Sequence, residues 1–195
     1  MTKGEETRQF IIERSAPVFN KKGLAATAMS DIMKATRLSK GSLYVHFDNK
    51  EVLAACVVDY NMEVLAKKVQ AALSGHRHPK DQLFAYLDLY DNPALPPMEG
   101  GCPMLNFGSE ADDTNEAIKQ QVARYMEQSQ ATLAAILKKG IRQGVFKAGW
   151  DYKAFATVMF AMIEGGVLIS RTSGEHRRMR TIIRSLKQMI EAQLQ

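Results

Sequence analysis

Two cysteines, Cys56 and Cys102, are all the thiols in 195 residues. So few, and in no CxxC spacing, they exclude a disulfide framework and a thiol-based zinc site. His76 and His78 are the only close histidine pair, and no third ligand follows at a useful spacing, so neither a metal nor a cofactor is expected. Long apolar runs are also missing. The longest, Phe155 to Ile163, is too short to span a bilayer and ends at Glu164. The N-terminus, MTKGEETRQF, lacks the apolar segment of a signal peptide. These absences imply a reduced cytoplasmic protein with no membrane partner. A catalytic constellation is missing too, because no nucleophile signature surrounds Cys102. An enzyme is not expected, and a small helical enzyme or a non-DNA scaffold is the rival class.

Acid is absent from one informative stretch. Between Ile32 and Phe47 there is no Asp or Glu, while Lys34, Arg37, Lys40 and His46 supply positive or potentially positive charge. Residues 1 to 50 carry nine Lys/Arg against five Asp/Glu, or +4; the other 145 carry 17 against 16, or +1. The basic excess therefore sits on the N-terminal part, as binding to DNA phosphates requires.

The segment Thr27 to Leu53, TAMSDIMKATRLSKGSLYVHFDNKEVL, reads as two short helices around a tight turn, followed by a long helix. Thr27 is a candidate N-cap for a helix from Ala28 to Thr36, with Ile32 and Ala35 facing inward. Arg37 and Leu38 make the turn, with Leu38 as a buried plug. Ser39 caps a second helix from Lys40 to about Val45, whose Leu43, together with Phe47, faces the core. Lys40, Gly41, Ser42, Tyr44, Val45 and His46 are left wholly or partly outward. Asp48 and Glu51 form a capping box for the next helix. A basic helix pair of this size suits the major groove of double-stranded DNA. Thr27, Ser42, Tyr44, His46 and Lys50 carry groups suited to phosphates. Lys40, beside the close approach allowed by Gly41 and Val45, suits base edges.

Gly23, Thr27, Asp31-Ile32, Ser39-Lys40-Gly41-Ser42-Leu43-Tyr44, His46-Phe47 and Lys50-Glu51 together closely resemble the N-terminal signature of the TetR family of bacterial transcriptional regulators. The resemblance covers about the first quarter of the chain. It implies DNA contacts at Thr27, Arg37, Ser39, Lys40, Gly41, Ser42, Tyr44, Val45, His46 and Lys50. One position departs: the family usually has Ala-Gly where this chain has Thr36-Arg37. Glycine takes left-handed backbone angles freely and arginine does not. Either the turn uses other angles, or Arg37 bears some strain and adds a phosphate contact.

The remainder reads as helix. The first, about Glu5 to Lys22, contains Pro17 and stops at Gly23. A fourth runs from about Lys50 to Leu73, and Pro79 opens a fifth. Asn92 to Gly101 is too rich in proline and glycine to be helical throughout. Pro103 suits a helix start, and Asp113 with Glu116 caps a long helix to about Gln143. The expected fold is all-α, with about nine helices: a DNA-binding helix-turn-helix domain over residues 1–50, joined by a long helix to a helical domain over 51–195.

The last two helices carry apolar stripes, Met159, Ile163, Gly166 and Ser170 on one and Met179, Ile182, Ile183, Leu186, Met189 and Ile190 on the other. An ordinary core within one subunit would look the same. The resemblance implies a homodimer paired through these helices, able to read a palindromic operator. It also implies a small-molecule effector. Phe84, Leu87, Tyr90, Cys102, Met104, Phe107, Tyr125, Met126 and Phe160 are the candidate pocket, since thioethers and aromatics suit apolar ligands. Cys102 can be a packing residue or a reactive thiol at a helix start. The Gly-Cys pair there is similar to the electrophile-sensing, N-ethylmaleimide-responsive subset of the family. Cys56, among Val52, Leu53, Val57 and Val58, reads as plain core.

Overall fold

The computed structural model describes residues 1–91 and 98–195. Among them are nine helices: α1 (Lys3–Lys22), α2 (Met29–Thr36), α3 (Lys40–His46), α4 (Lys50–Ser74), α5 (Pro79–Asp88), α6 (Pro103–Ala111), α7 (Glu116–Arg142), α8 (Tyr152–Ser173) and α9 (Arg177–Glu191). The all-α expectation holds. Of the non-helical stretch expected over Asn92 to Gly101, residues 92–97 lie outside the described residues.

The helix boundaries have local causes, and several differ from the expected ones. Thr2 and Glu5 form a capping box that starts α1 two residues early, and Gly23, at φ 88°, ends it. Thr27 does not cap α2. Its hydroxyl donates to the Gly23 carbonyl at 2.6 Å, and the start of α2 is secured by the Asp31 carboxylate, which accepts from Ala28 N–H at 3.0 Å. Ser39 does cap α3, accepting from Ser42 N–H at 3.2 Å. The expected caps of α4 and α7 are each displaced, to Asn49 (accepting from Val52 N–H at 2.8 Å) and Asn115 (accepting from Ile118 N–H at 3.0 Å). In both cases a short amide nearer the first turn does the work assigned to an aspartate.

The chain divides into two compact units, which differ from a split at residue 50. One comprises Met1–Val64 with Met98–Arg124, and the other Leu65–Pro97 with Tyr125–Gln195. In the first unit α1 packs on α2, α3 and α6. Ile11, Phe19, Ile32, Leu43, Phe47, Leu53, Val57 and Val58 form its core. Leu38 is only half-buried, so it is not the plug that the sequence suggested.

In the second unit α9 packs on α8 and α5. The α8 helix has 22 residues, and an 18-residue window within it has a mean hydropathy of 1.5, enough by length and composition alone to cross a bilayer. Packing accounts for part of its apolar character, because Met159, Phe160 and Ile163 are buried, while Val158, Leu168 and Ile169 are exposed. At Gly166 a Cβ would fall 2.5 Å from Met179 Sδ and 3.0 Å from Ile182 Cδ1. The glycine therefore admits α9 of the same chain.

Candidate nucleic-acid interface

The first unit presents α3 to solvent on one side. Its Leu43 is 1% exposed and holds the helix to the core, with Phe47 just beyond its end at 3%. Lys40, Gly41, Ser42, Tyr44 and Val45 are exposed, and His46 is half-buried. Val45 is 80% exposed, an unusual setting for a β-branched apolar residue at the middle of an outward face. Lys40 Nζ lies 5.8 Å from the Tyr44 ring centroid, so cation and aromatic share one surface. The expected outward set of α3 is thus brought together, and Ser39 lies exposed at its head.

Two expected contacts do not belong to that surface. Thr27 is fully buried, with its hydroxyl already donated to Gly23. Lys50 folds back from the start of α4, and its Nζ donates to the carbonyls of Leu24, Ala25 and Thr27 at 3.0, 3.2 and 3.2 Å. Both shape the α1–α2 loop. Their residue types alone could not reveal this, because a hydroxyl or ammonium suits a carbonyl as well as a phosphate.

Arg37 resolves the question raised by the missing glycine. It sits at φ 59°, ψ 24°, and is the one non-glycine residue at positive φ among those described. Its N–H closes α2 on the Met33 carbonyl at 2.8 Å. The turn keeps the left-handed angles, and an exposed arginine occupies them.

On another side of the same unit, α6 is tied to α1 and the loop after it. The Glu110 carboxylate accepts from Leu24 N–H and Ala25 N–H, each at 2.6 Å. Asn106 Nδ2 lies 2.9 Å from the Asn20 carbonyl and 3.0 Å from the Gly100 carbonyl. Asn20 in turn donates to the carbonyls of Glu99 and Gly101. A Cβ on Gly100 would fall 3.0 Å from Asn20 Nδ2 and 3.1 Å from the Asn20 carbonyl oxygen. Gly100, two residues before Cys102, thus has a packing reason. Sequence reasoning missed this polar connection, because its partners lie about eighty residues apart.

Cys102 is the N-cap residue of α6 and 5% exposed. Cys56 departs from the apolar setting expected for it. It is half-buried, and the Arg8 guanidinium donates to its sulfur at 3.1 Å while stacking 4.7 Å from the centre of the Phe47 ring.

The candidate pocket residues fall on both units. Cys102, Met104 and Phe107 belong to the first; Phe84, Leu87, Tyr90, Tyr125, Met126 and Phe160 belong to the second. Phe84 is only half-buried, with Lys80 and Lys187 ammonium groups each 5.0 Å from its ring centroid, so it faces cations. The proposed dimer residues Met159, Ile163, Gly166, Ser170, Met179, Ile183, Leu186 and Ile190 are buried within the subunit, chiefly between α8 and α9. Only Ile182, half-buried, and Met189, 40% exposed, remain available, because one helix pair cannot offer the same stripe to itself and to a partner.

A short basic helix held outward behind a capped turn defines a helix-turn-helix DNA-binding protein. Residues 11–57 match the family described as bacterial regulatory proteins, tetR family, and residues 79–186 match the tetracyclin repressor-like C-terminal domain. The chain belongs to the TetR family of transcriptional regulators. It is similar to a solved TetR-family transcriptional regulator from Cytophaga hutchinsonii, with 37% identity, a TM-score of 0.94 and coverage of 100% of this chain and 98% of that one. A TetR transcriptional regulator from Chloroflexus aurantiacus is 35% identical over the same shares, also at a TM-score of 0.94. The HTH-type transcriptional repressor DhaR of Mycobacterium sp. is 24% identical over 83% of this chain and 80% of its own length.

Proposed function

We propose that the protein is a dimeric repressor that reads a palindromic operator through α3 and is released by a small apolar effector. The observation that carries the DNA reading is the outward face of α3, where Lys40, Tyr44 and an 80% exposed Val45 stand together with no acidic residue among them. A mostly apolar-and-cationic surface of this kind matches a groove that offers phosphates at its rims and thymine methyls on its floor. Lys40 reads base edges. Tyr44, Ser42 and His46 hold the backbone.

Dimer formation rests on exposed apolar residues of the second unit. Val158, Leu168 and Ile169 on α8 and Met189 on α9 are each at least 40% exposed, and Gly165 has open space around it. Effector release is a shift between two pre-existing arrangements, driven by tighter binding to one of them.

The salt dependence of binding tests the DNA reading. Affinity for duplex should fall with a slope of about −0.9 per neutralised phosphate; a flat response on every duplex would end it. Lys40→Ala should narrow the ratio between operator and random DNA, whereas Tyr44→Phe should weaken both alike. Release by covalent modification of Cys102 is the second reading, supported by its place at the head of α6. Its test is whether Cys102→Ser stays on DNA when maleimide displaces the wild type. Equal release of both would exclude it.

A further inference from the structure

Nine lysines and arginines lie in residues 1–50, and the structure separates them by what they touch. Lys21 pairs with Glu99, Lys22 with Asp31, Lys50 with three carbonyls, and Arg8 with Cys56 and Phe47. Among the described residues, the other five have no carboxylate within ion-pair distance: Lys3, Arg14, Lys34, Arg37 and Lys40. Three of these five, Arg14 from α1 and Lys34 and Arg37 from the end of α2, line one concavity of about 380 Å³ with Phe10, Ala35 and Thr36. No acidic residue lines it.

We propose that this concavity is a phosphate site, filled by a backbone phosphate of the DNA that α3 reads and by the sugar beside it. The proposal rests on the DNA reading above and extends the interface from α3 to α1 and the end of α2. Three cations from two helices converge there. Lys34 also acts at a distance on the Asp31 carboxylate, while Arg14 and Arg37 have no carboxylate within ion-pair distance among the described residues, and such groups suit a phosphodiester. Lys34 and Arg37 also face the negative end of α2, which favours one cation there; it does not account for Arg14, which comes from α1. The Arg14 guanidinium lies 5.5 Å from the centre of the Phe10 ring, which holds it at the rim, and Phe10 is 37% exposed, able to meet the apolar face of a deoxyribose. Arg37 lies three positions before Lys40, at most about 11 Å of chain. At 3.4 Å of rise per nucleotide that is roughly three phosphates from the reading position.

The test is the salt slope of duplex binding for wild type, Arg14→Gln, Lys34→Gln, the triple variant with Arg37→Gln added, and Arg142→Gln. The last removes one exposed charge from α7 in the other unit. Wild type alone judges the DNA reading: no salt-dependent binding to any duplex removes that reading and this site with it. Given binding, Arg14→Gln and the triple variant should each lower the slope, the triple by about 0.9 for each phosphate lost. Affinity for operator and random duplex should fall by the same factor, and Arg142→Gln should change nothing. An unchanged slope in Arg14→Gln and the triple variant overturns the proposal, as does an equal loss in Arg142→Gln. Inorganic phosphate alone, titrated at constant ionic strength, separates the sources. Saturable millimolar binding that the triple variant loses, with the duplex salt slope unchanged by the same substitutions, would assign the site to a free anion and overturn its assignment to DNA. Thermal melting checks that the variants fold, and Arg37→Lys should keep the wild-type slope.

Discussion

A left-handed backbone brings an L-residue's Cβ against the following carbonyl, at a cost of about 1 kcal/mol. Arg37 bears that cost at φ 59°. Replacing it with glycine removes the strain and the cation together, so two measurements should move in opposite senses. Urea unfolding of Arg37→Gly should show stability raised by up to about 1 kcal/mol, while DNA affinity falls on every sequence. Lower stability would mean that the side chain supports the fold. Asp31 offers a second test at this scale. Its hydrogen bond with Lys22, then that from Ala28 N–H, holds its carboxyl below the usual value of 3.8. Since the folded value is the lower one, the cap contributes fully above the unfolded value and is lost as pH falls through the folded one. Amide exchange at the first turn of α2 should therefore rise only below about pH 4. Asp31→Asn should lose most of that dependence.

At the scale of elements, the junction between α6 and the α1–α2 loop carries the sharpest expectation. Glu110→Ala removes the acceptor from two N–H groups, Leu24 N–H half-buried among them. An unpaired buried donor costs on the order of 1–3 kcal/mol. With Leu24 only half-buried and Ala25 exposed, Glu110→Ala should destabilise the protein by about 1 kcal/mol, the low end of that range, and raise amide exchange at Leu24 and Ala25 before that of α9. Uniform loss of protection would show that the contact is not local. Gly23 is matched to the same carboxylate, because a Cβ there would fall 2.7 Å from Glu110 Oε2. Here an acid near the end of α6 organises the entry to the DNA-binding helices, a role that neither segment shows by itself.

For the whole molecule, the exposed α8 stripe is the proposed basis for two-fold reading of DNA. Leu168 is 52% exposed, so Leu168→Arg adds charge without disturbing the buried α8–α9 pairing. Sedimentation should then report a monomer with unchanged helicity and melting of the subunit core, and a palindromic site should be bound no better than a half-site. A Leu168→Arg dimer would place the interface elsewhere. Pairing through this face gives one duplex two copies of α3, and the affinity gained by linkage follows from effective concentration.

Helix type and order were legible in the chain because the apolar spacing is periodic and Gly23, Ser39, Pro79 and Pro103 punctuate it. The outward face of α3 was legible because Leu43, with Phe47 just beyond the helix, suffices to hold it inward, leaving the rest outward by geometry. What the chain could not disclose was which of several chemically equivalent groups would be engaged inside. Thr27 and Lys50 carry the donors a phosphate wants, and folding turned them to carbonyls. Met159 and Ile163 have the spacing of a dimer seam, and α9 of the same chain covers them. Arg14 carried no signal beside the motif until α1 and α2 packed together. Local pattern specifies an element and its apolar face. Which partner covers that face, and which charges remain unpaired, is decided only when distant segments meet.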